Sequence, residues 1–247
     1  MTQYGKYKIL KKYDVSYFNC KKCGFCQTEN PFWLEEAYKE PINQSDTGIL
    51  QRNNYFSKIT LCIIYFLIDK GRGKYLDYAG GYGIFTRLMR DFGLDYYWND
   101  PYTPNIFAKG FEKKKDDNKF NSVTFFETIE HFTDPEIEIK KLLNYSDTLI
   151  FSTTLITSPP PKPGDWWYYG HEHGQHVSFW TYDSLNRLAE KFNMYFYSDK
   201  KQYHVISAKK ISKFKMFMIF TITRFGLFQY VSRKLKTKTF SDSNMLN

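Results

Sequence analysis

Leu76-Asp77-Tyr78-Ala79-Gly80-Gly81-Tyr82-Gly83 is the stretch whose reading decides the fold. The run from Lys74 to Ala79 has the character of a strand, glycines follow, and Ile84 to Phe92 reads as a helix. Strand, glycine turn and helix in that order make the nucleotide-binding unit of an α/β fold, with glycines where backbone passes close to a ligand. The turn reads Gly-x-Gly-x-x-Thr over Gly81, Gly83 and Thr86, without the third glycine of a dinucleotide site. Asp77 lies at the strand end, where a carboxylate repels a pyrophosphate but can receive an ammonium group. A second acid, Asp100, closes the next strand (Asp95 to Asp100), where a ribose diol needs an acceptor.

Outward from this unit the chain keeps alternating. Residues 53–70 predict a helix with a wide apolar face, ended by Gly71-Arg72-Gly73. Pro101 and Pro104 break the chain after Asp100, and a short strand is expected near Asn105–Ala108. Phe120 to Phe126 predicts the next strand, running into Glu127-Thr128-Ile129-Glu130-His131. Asp134 and Pro135 are an N-cap and a first helical residue for a helix to about Leu143. Asp147 to Leu155 reads as a buried strand by its β-branched content. Residues 156–180 contain Ser158-Pro159-Pro160-Pro161-Lys162-Pro163-Gly164, which excludes regular structure, and a loop this long reads as a lid. Thr181 to Phe192 is an amphipathic helix, and Met194–Tyr197 with Tyr203–Ala208 form a hairpin.

The chain has 247 residues and a net charge of +9, concentrated between Lys200 and Ser241, where 11 Lys or Arg occur without an acid. The remainder carries a net −2, which argues against a phosphate-tracking surface and so against nucleic acid as partner. Met1 to Lys12 lacks the apolar core of a secretory signal, and four cysteines are too few for a disulfide scaffold, so a cytoplasmic setting is expected. The longest apolar runs, Ile59–Ile68 and Met216–Thr223, fall short of the roughly 18 residues a membrane span needs. Three segments are expected: a Cys-containing N-terminal piece (1–50), a nucleotide-binding domain (51–210) with its lid, and a basic amphipathic tail (211–247). The tail mixes Lys and Arg with Phe214, Phe217, Phe225 and Phe228. It reads either as a helix packed on the domain or as an interfacial helix at the inner membrane face. Cys20-Lys21-Lys22-Cys23-Gly24 has the shape of a zinc knuckle. Its second pair is missing, so Cys20, Cys23 and Cys26 are either metal ligands or free thiols.

These pieces carry a resemblance. Leu76–Gly83, Trp98-Asn99-Asp100-Pro101-Tyr102, Phe126-Glu127-Thr128-Ile129-Glu130-His131 with Asp134-Pro135, and Gly174-Gln175-His176-Val177-Ser178-Phe179 resemble bacterial class I S-adenosylmethionine (SAM) dependent methyltransferases. The similarity is to those that modify small molecules, in surface-polysaccharide and sugar gene sets. The resemblance implies a Rossmann-like seven-stranded sheet ending in the hairpin. It implies SAM as cofactor, with Gly81 and Gly83 beneath the methionine moiety, Asp77 near its ammonium and Asp100 on the ribose. It also implies a loop at Glu127–His131 closing over the cofactor. Arg52 is a further candidate, for the cofactor carboxylate. Ala79 stands where the family's first turn glycine sits, an exchange that requires φ to stay negative.

Methyl transfer from a sulfonium asks the protein for alignment and, with a hydroxyl acceptor, for proton removal. Histidine suits that task near neutral pH, and three of the five lie in the lid: His171, His173 and His176. His176 is the first candidate base, followed by His131 and His171; no metal is assigned to the site. Trp166-Trp167-Tyr168-Tyr169 could stack on a sugar ring or pack the lid. The rival readings are a nucleic-acid methyltransferase, a non-catalytic partner of the same fold, and a nicotinamide dehydrogenase. Asp77 and the absent third glycine disfavour the last.

Overall fold

In the computed structural model, which describes residues 1–43 and 46–246, the chain begins with three strands, β1 (Thr2–Ile9), β2 (Tyr13–Asn19) and β3 (Cys26–Thr28). Positions 44, 45 and 247 lie outside the described residues. Helices α1 (Leu34–Ala37) and α2 (Ile49–Ile63) follow, the second extended by a π-helical turn over Ile64–Ile68. The nucleotide-binding part runs β4 (Lys74–Tyr78), α3 (Ile84–Asp91), β5 (Asp95–Asn99), β6 (Ser122–Phe125), α4 (Pro135–Tyr145) and β7 (Thr148–Ser152). Then come β8 (Ser178–Phe179), α5 (Tyr182–Lys191), β9 (Tyr195–Ser198) and β10 (Tyr203–Ser207). Three helices close the chain, α6 (Lys213–Ile222), α7 (Leu227–Ser232) and α8 (Thr239–Leu246).

The main sheet has the order β5-β4-β6-β7-β10-β9, parallel from β5 to β7, with β10 antiparallel to both neighbours. This is the Rossmann-like arrangement with its closing hairpin. Alternate residues of each strand feed opposite cores, as a sheet covered on both faces requires. Tyr75, Tyr96, Ile150 and Val205 join α2, α3, α6 and α7, whereas Leu76, Val123, Phe151 and Ile206 join α4 and α5. Asp134 caps α4 through a bond from the Ile137 amide, with Pro135 in the first turn.

Among the described residues the main sheet has six strands, where seven were expected. Residues 105–108 form a turn, because the Asn105 side chain takes the Ala108 amide (2.9 Å) and donates to the Ala108 carbonyl (2.7 Å). Such local side-chain bonds compete with ladder formation. The outer edge of β5 receives only a parallel rung from Glu112 onto Trp98.

One segment boundary also differs. The N-terminal piece does not stand apart: β1, β2 and β3 form an antiparallel sheet whose fourth strand is β8, from the end of the lid. In the C-terminal segment, α6, α7 and α8 pack on the domain, as one of its two readings expects. Met216, Ile219 and Val231 are buried in the α2–α3 core, and α8 returns to α3. There Asp242 accepts two bonds from Arg90 (2.7 and 2.8 Å) beneath the Phe111 ring, which lies 3.6 Å from the guanidinium. Both partners are buried.

Breaking one side of a buried ion pair leaves a stranded charge. Asp242→Ala is expected to lower unfolding stability by about 3 kcal/mol, whereas Lys238→Ala, at a partly exposed and longer contact with Asp95 (3.8 Å), shifts it by less than about 0.5 kcal/mol. Urea denaturation of both variants checks this; equal, small shifts would mean that α8 does not brace the domain.

Candidate active site

The strand order reverses at β4, with β5 on one side and β6 on the other, so a crevice opens beyond the carboxyl ends of β4 and β6. Its floor is the glycine turn. Gly83 has φ +85°, and a Cβ there would stand 2.6 Å from Asn105 Oδ1. At Gly81 (φ +54°) an added Cβ would meet nothing nearer than Ile42 at 3.6 Å, so the turn is open above that residue. Ala79 departs from expectation: its φ is +54°, not negative. The turn is tied to β5 by Gly80 N–H to the Asn99 carbonyl (3.2 Å) and by Trp98 Nε1 to the Gly81 carbonyl (2.8 Å), which leaves residue 79 to absorb the bend. An L-residue held there costs about 1 kcal/mol.

The acids fall into two kinds. Asp77 is buried beneath the turn, where its oxygens accept from the hydroxyls of Thr86 (2.9 Å) and Thr124 (3.1 Å). Burial pushes its pKa up to about 7, against those two hydrogen bonds. That is the position of a group that braces the turn rather than of an open receptor. Asp100 lies at the rim, accepting from the amides of Gly81 (2.9 Å), Tyr102 (2.8 Å) and Thr103 (3.0 Å). It joins the glycine turn to the loop after β5, where a diol would reach it.

On the opposite wall stands the loop after β6. Glu127, at φ +48°, accepts from the Ser152 hydroxyl at Oε1 (2.6 Å), while its own amide donates to that hydroxyl (2.8 Å). Arg52 pairs with Asp46 (2.5 Å) and has the Glu127 carboxylate next in its field. Glu130 is fully buried. Its Oε1 accepts from the Tyr168 hydroxyl (2.6 Å) and its Oε2 has no hydrogen-bond partner. Burial, then the charge of Glu127, raises its pKa to about 8.

The lid brings histidine to this wall. Val177 N–H donates to the Glu130 carbonyl (2.8 Å), and the Ser178 hydroxyl donates to the Ile129 carbonyl (3.0 Å). His176 is thereby held beside His131, ring centroids 4.9 Å apart and nearly perpendicular. His176 Nδ1 donates to the Tyr168 carbonyl (2.6 Å), which leaves its lone pair on Nε2. His131 Nδ1 is bonded to the Tyr38 hydroxyl (3.0 Å), and Tyr38 stacks on Tyr102. Burial depresses both imidazoles, His131 to about 3 and His176 well below its usual value, so both are neutral at pH 7. His171 is not brought to this pair. Its ring lies against Tyr7, Tyr17 and Tyr169 in the core of the N-terminal sheet.

Of the lid aromatics, Trp166, Tyr168 and Tyr169 pack inward, and Trp167 alone of the four is exposed, at 78%. Tyr38, Ser152, Thr153 and the inward-facing Tyr168 are site residues that the sequence reading did not assign. The aromatic run around Tyr168 was visible as a motif, while nothing near Tyr38 marks it out. At the knuckle, Cys26 is buried on β3 and takes a bond from Asn19 (3.2 Å). Among the described residues, the only group of three metal-type ligands brought together is Glu130, His131 and His176.

A family model described as a methyltransferase domain matches residues 51–198. Among solved structures, the chain is similar to the 1,6-didemethyltoxoflavin-N1-methyltransferase of Burkholderia thailandensis, crystallised with 1,6-didemethyltoxoflavin and S-adenosylhomocysteine. The identity is 11% and the TM-score 0.51, covering 82% of this chain and 97% of that one. It is also similar to TnmH, at 12% identity and TM-score 0.51, covering 71% of this chain and 61% of that one. These likenesses bear on fold alone. No curated protein sequence matches the chain.

The raised pKa of Asp77 has a signed consequence. The folded state holds this proton more tightly than the unfolded chain does. The associated stability is therefore present below about pH 4 and is lost as pH rises through about 7. Expressed as wild type minus Asp77→Asn, unfolding free energy is expected to fall between pH 4 and 7 and to level above. A flat difference across that window would show the carboxyl to be ionised throughout.

Proposed function

The chain belongs to the methyltransferase-domain family and is a SAM-dependent methyltransferase, and from that premise we propose that it methylates a hydroxyl of a small, sugar-like acceptor, a precursor of surface polysaccharide. When bound, SAM supplies a methyl group on a positively charged sulfur, already activated for in-line displacement. Asp100 would accept from its ribose, and the open face above Gly81 would take the methionine end. The ammonium would then meet carbonyls of the turn, with Asp77 behind them, and Arg52, paired with Asp46 on the Glu127 side, would take the carboxylate.

The observation that carries the acceptor reading is the pair of neutral imidazoles at Glu130, in the wall facing the glycine turn. An alcohol loses its proton as its oxygen takes the methyl carbon and the carbon–sulfur electron pair returns to sulfur. His176 Nε2 is available to receive that proton. Stacked Tyr38 and Tyr102, the latter exposed, supply an aromatic face beside His131 of the kind that packs on the C–H face of a sugar ring. The near-neutral charge of residues 1–199 speaks for this acceptor over nucleic acid.

Calorimetry with SAM and an acceptor screen read as S-adenosylhomocysteine release test the proposal. Asp100→Ala is expected to weaken SAM binding at least about tenfold, because charge-assisted hydrogen bonds are each worth roughly 1.5–3 kcal/mol. His176→Asn should keep SAM affinity and lower kcat by about 10²–10⁴-fold. Release with oligonucleotides but not with sugars or sugar nucleotides would overturn the acceptor class.

A second feature concerns location. Among the described residues no helix is long and apolar enough to cross a membrane. Yet Phe214, Phe217 and Phe225 are 70%, 62% and 82% exposed among Lys209, Lys210, Lys213 and Lys215, while Met216 and Ile219 anchor the same helix to the core. Phenylalanines beside lysines suit peripheral contact with anionic lipid on the cytoplasmic side. The full chain is expected to sediment with anionic phospholipid vesicles and Phe214→Ser/Phe217→Ser to remain in the supernatant. Equal partition of the two proteins sinks the idea.

A further inference from the structure

Glu130, His131 and His176 offer one carboxylate oxygen and two imidazole nitrogens, all within 4.8 Å of one another. Ligands bound about 2.1 Å from one ion stand roughly 3.0–4.2 Å apart, so side-chain shifts of under about 1 Å close the set. Each donor is already aimed and held from behind. Nδ1 of His176 donates to the Tyr168 carbonyl and Nδ1 of His131 is bonded to Tyr38, the outer contacts by which metal-ligating histidines are fixed. Tyr168 occupies Oε1 of Glu130. The other oxygen, Oε2, is buried without a partner in a residue with no exposed surface. A buried acceptor of that kind costs about 1–3 kcal/mol unless something fills it. Three donors converge, and no donor hydrogen among the described residues serves that oxygen.

Building on the methyltransferase reading above, we infer that Glu130, His131 and His176 form a binding site for one divalent first-row transition-metal ion, placed to activate the acceptor hydroxyl. Two nitrogens and one oxygen select manganese, iron, cobalt or zinc over magnesium or calcium, which favour all-oxygen shells. Three protein ligands on one side leave coordination positions open for the acceptor oxygen. An ion held there would lower the proton affinity of the acceptor hydroxyl, whose proton would pass to water as its oxygen bonds to the methyl carbon and the carbon–sulfur electron pair returns to sulfur, releasing S-adenosylhomocysteine. With the ion bound, both imidazoles would serve as ligands, so the proton would pass to water and not to His176. The site departs from the sequence expectation, which placed any metal at the cysteine knuckle.

Cobalt(II) titration of chelator-treated full-length protein, followed by visible absorption, tests this without turnover. One ion per chain is expected, with d–d bands in the imidazole-ligated range. Glu130→Gln keeps the shape and the bond from Tyr168 and should weaken binding at least tenfold, as should His176→Asn. Cys20→Ser/Cys23→Ser should leave the titration unchanged. The SAM heat of each variant reports folding and tests the cofactor reading separately; its loss in the wild type would sink that reading and not this one. Either no cobalt binding by the wild type, or binding that survives Glu130→Gln and disappears in the cysteine variant, overturns the site. Turnover that is undiminished after complete chelation would overturn its proposed role in activation.

Discussion

Two backbone hydrogen bonds at Val177 hold this molecule's chemistry in one place. Its N–H donates to the Glu130 carbonyl, and its carbonyl accepts from the Thr28 amide (2.9 Å). One residue of the lid is thus stapled on one side to the loop after β6 and on the other to the N-terminal sheet. The neighbouring β3–β8 rungs and the Gln175 side chain, which donates to the carbonyls of Ala37 (2.9 Å) and Glu40 (3.0 Å), extend the staple. Backbone groups removed from water need partners, so these bonds resist opening more than side-chain contacts at a surface would. Everything that distinguishes this site from a bare Rossmann crevice, namely Tyr38, Tyr168 and His176, arrives through that junction.

Burial then sets the electrostatics. Glu127, Glu130, His131 and His176 are all pushed toward their neutral forms. Glu127, Glu130 and His131 are each bonded to a hydroxyl, and the His176 N–H donates to a carbonyl. Desolvation tightens the hold of the two carboxylates on a proton and loosens that of the two imidazoles. Asp77 shows the same principle in a structural role, since Thr86 and Thr124 satisfy it completely. What separates the two cases is one unfilled position, on Glu130.

The parts of the fold legible in the sequence were those set by local chemistry. The strand–glycine–helix unit, the Asp134–Pro135 cap and the closing hairpin each follow from residues close together in the chain. The third strand was misread because an apolar pair after two prolines resembles a strand, whereas Asn105 binds the local backbone first. The N-terminal sheet was missed because most of β1 is exposed and shows no clean alternation of apolar residues. For the site, Glu127 and His131 stood out beside the β6 terminus, whereas Glu130 was read only as part of their loop. His176 ranks ahead of His171, five residues away in the same loop, through the Gly174–Phe179 motif, and the tertiary partners, Glu130's loop for one and three tyrosine rings for the other, separate them in space. Tyr38 lies 93 residues from the histidine it supports, a distance at which composition is silent.

Tyr168 serves the site twice. Its main-chain oxygen orients His176 while its hydroxyl orients Glu130. A displacement of this one residue would disturb the imidazole and the carboxylate at once, so the two groups share a single point of support.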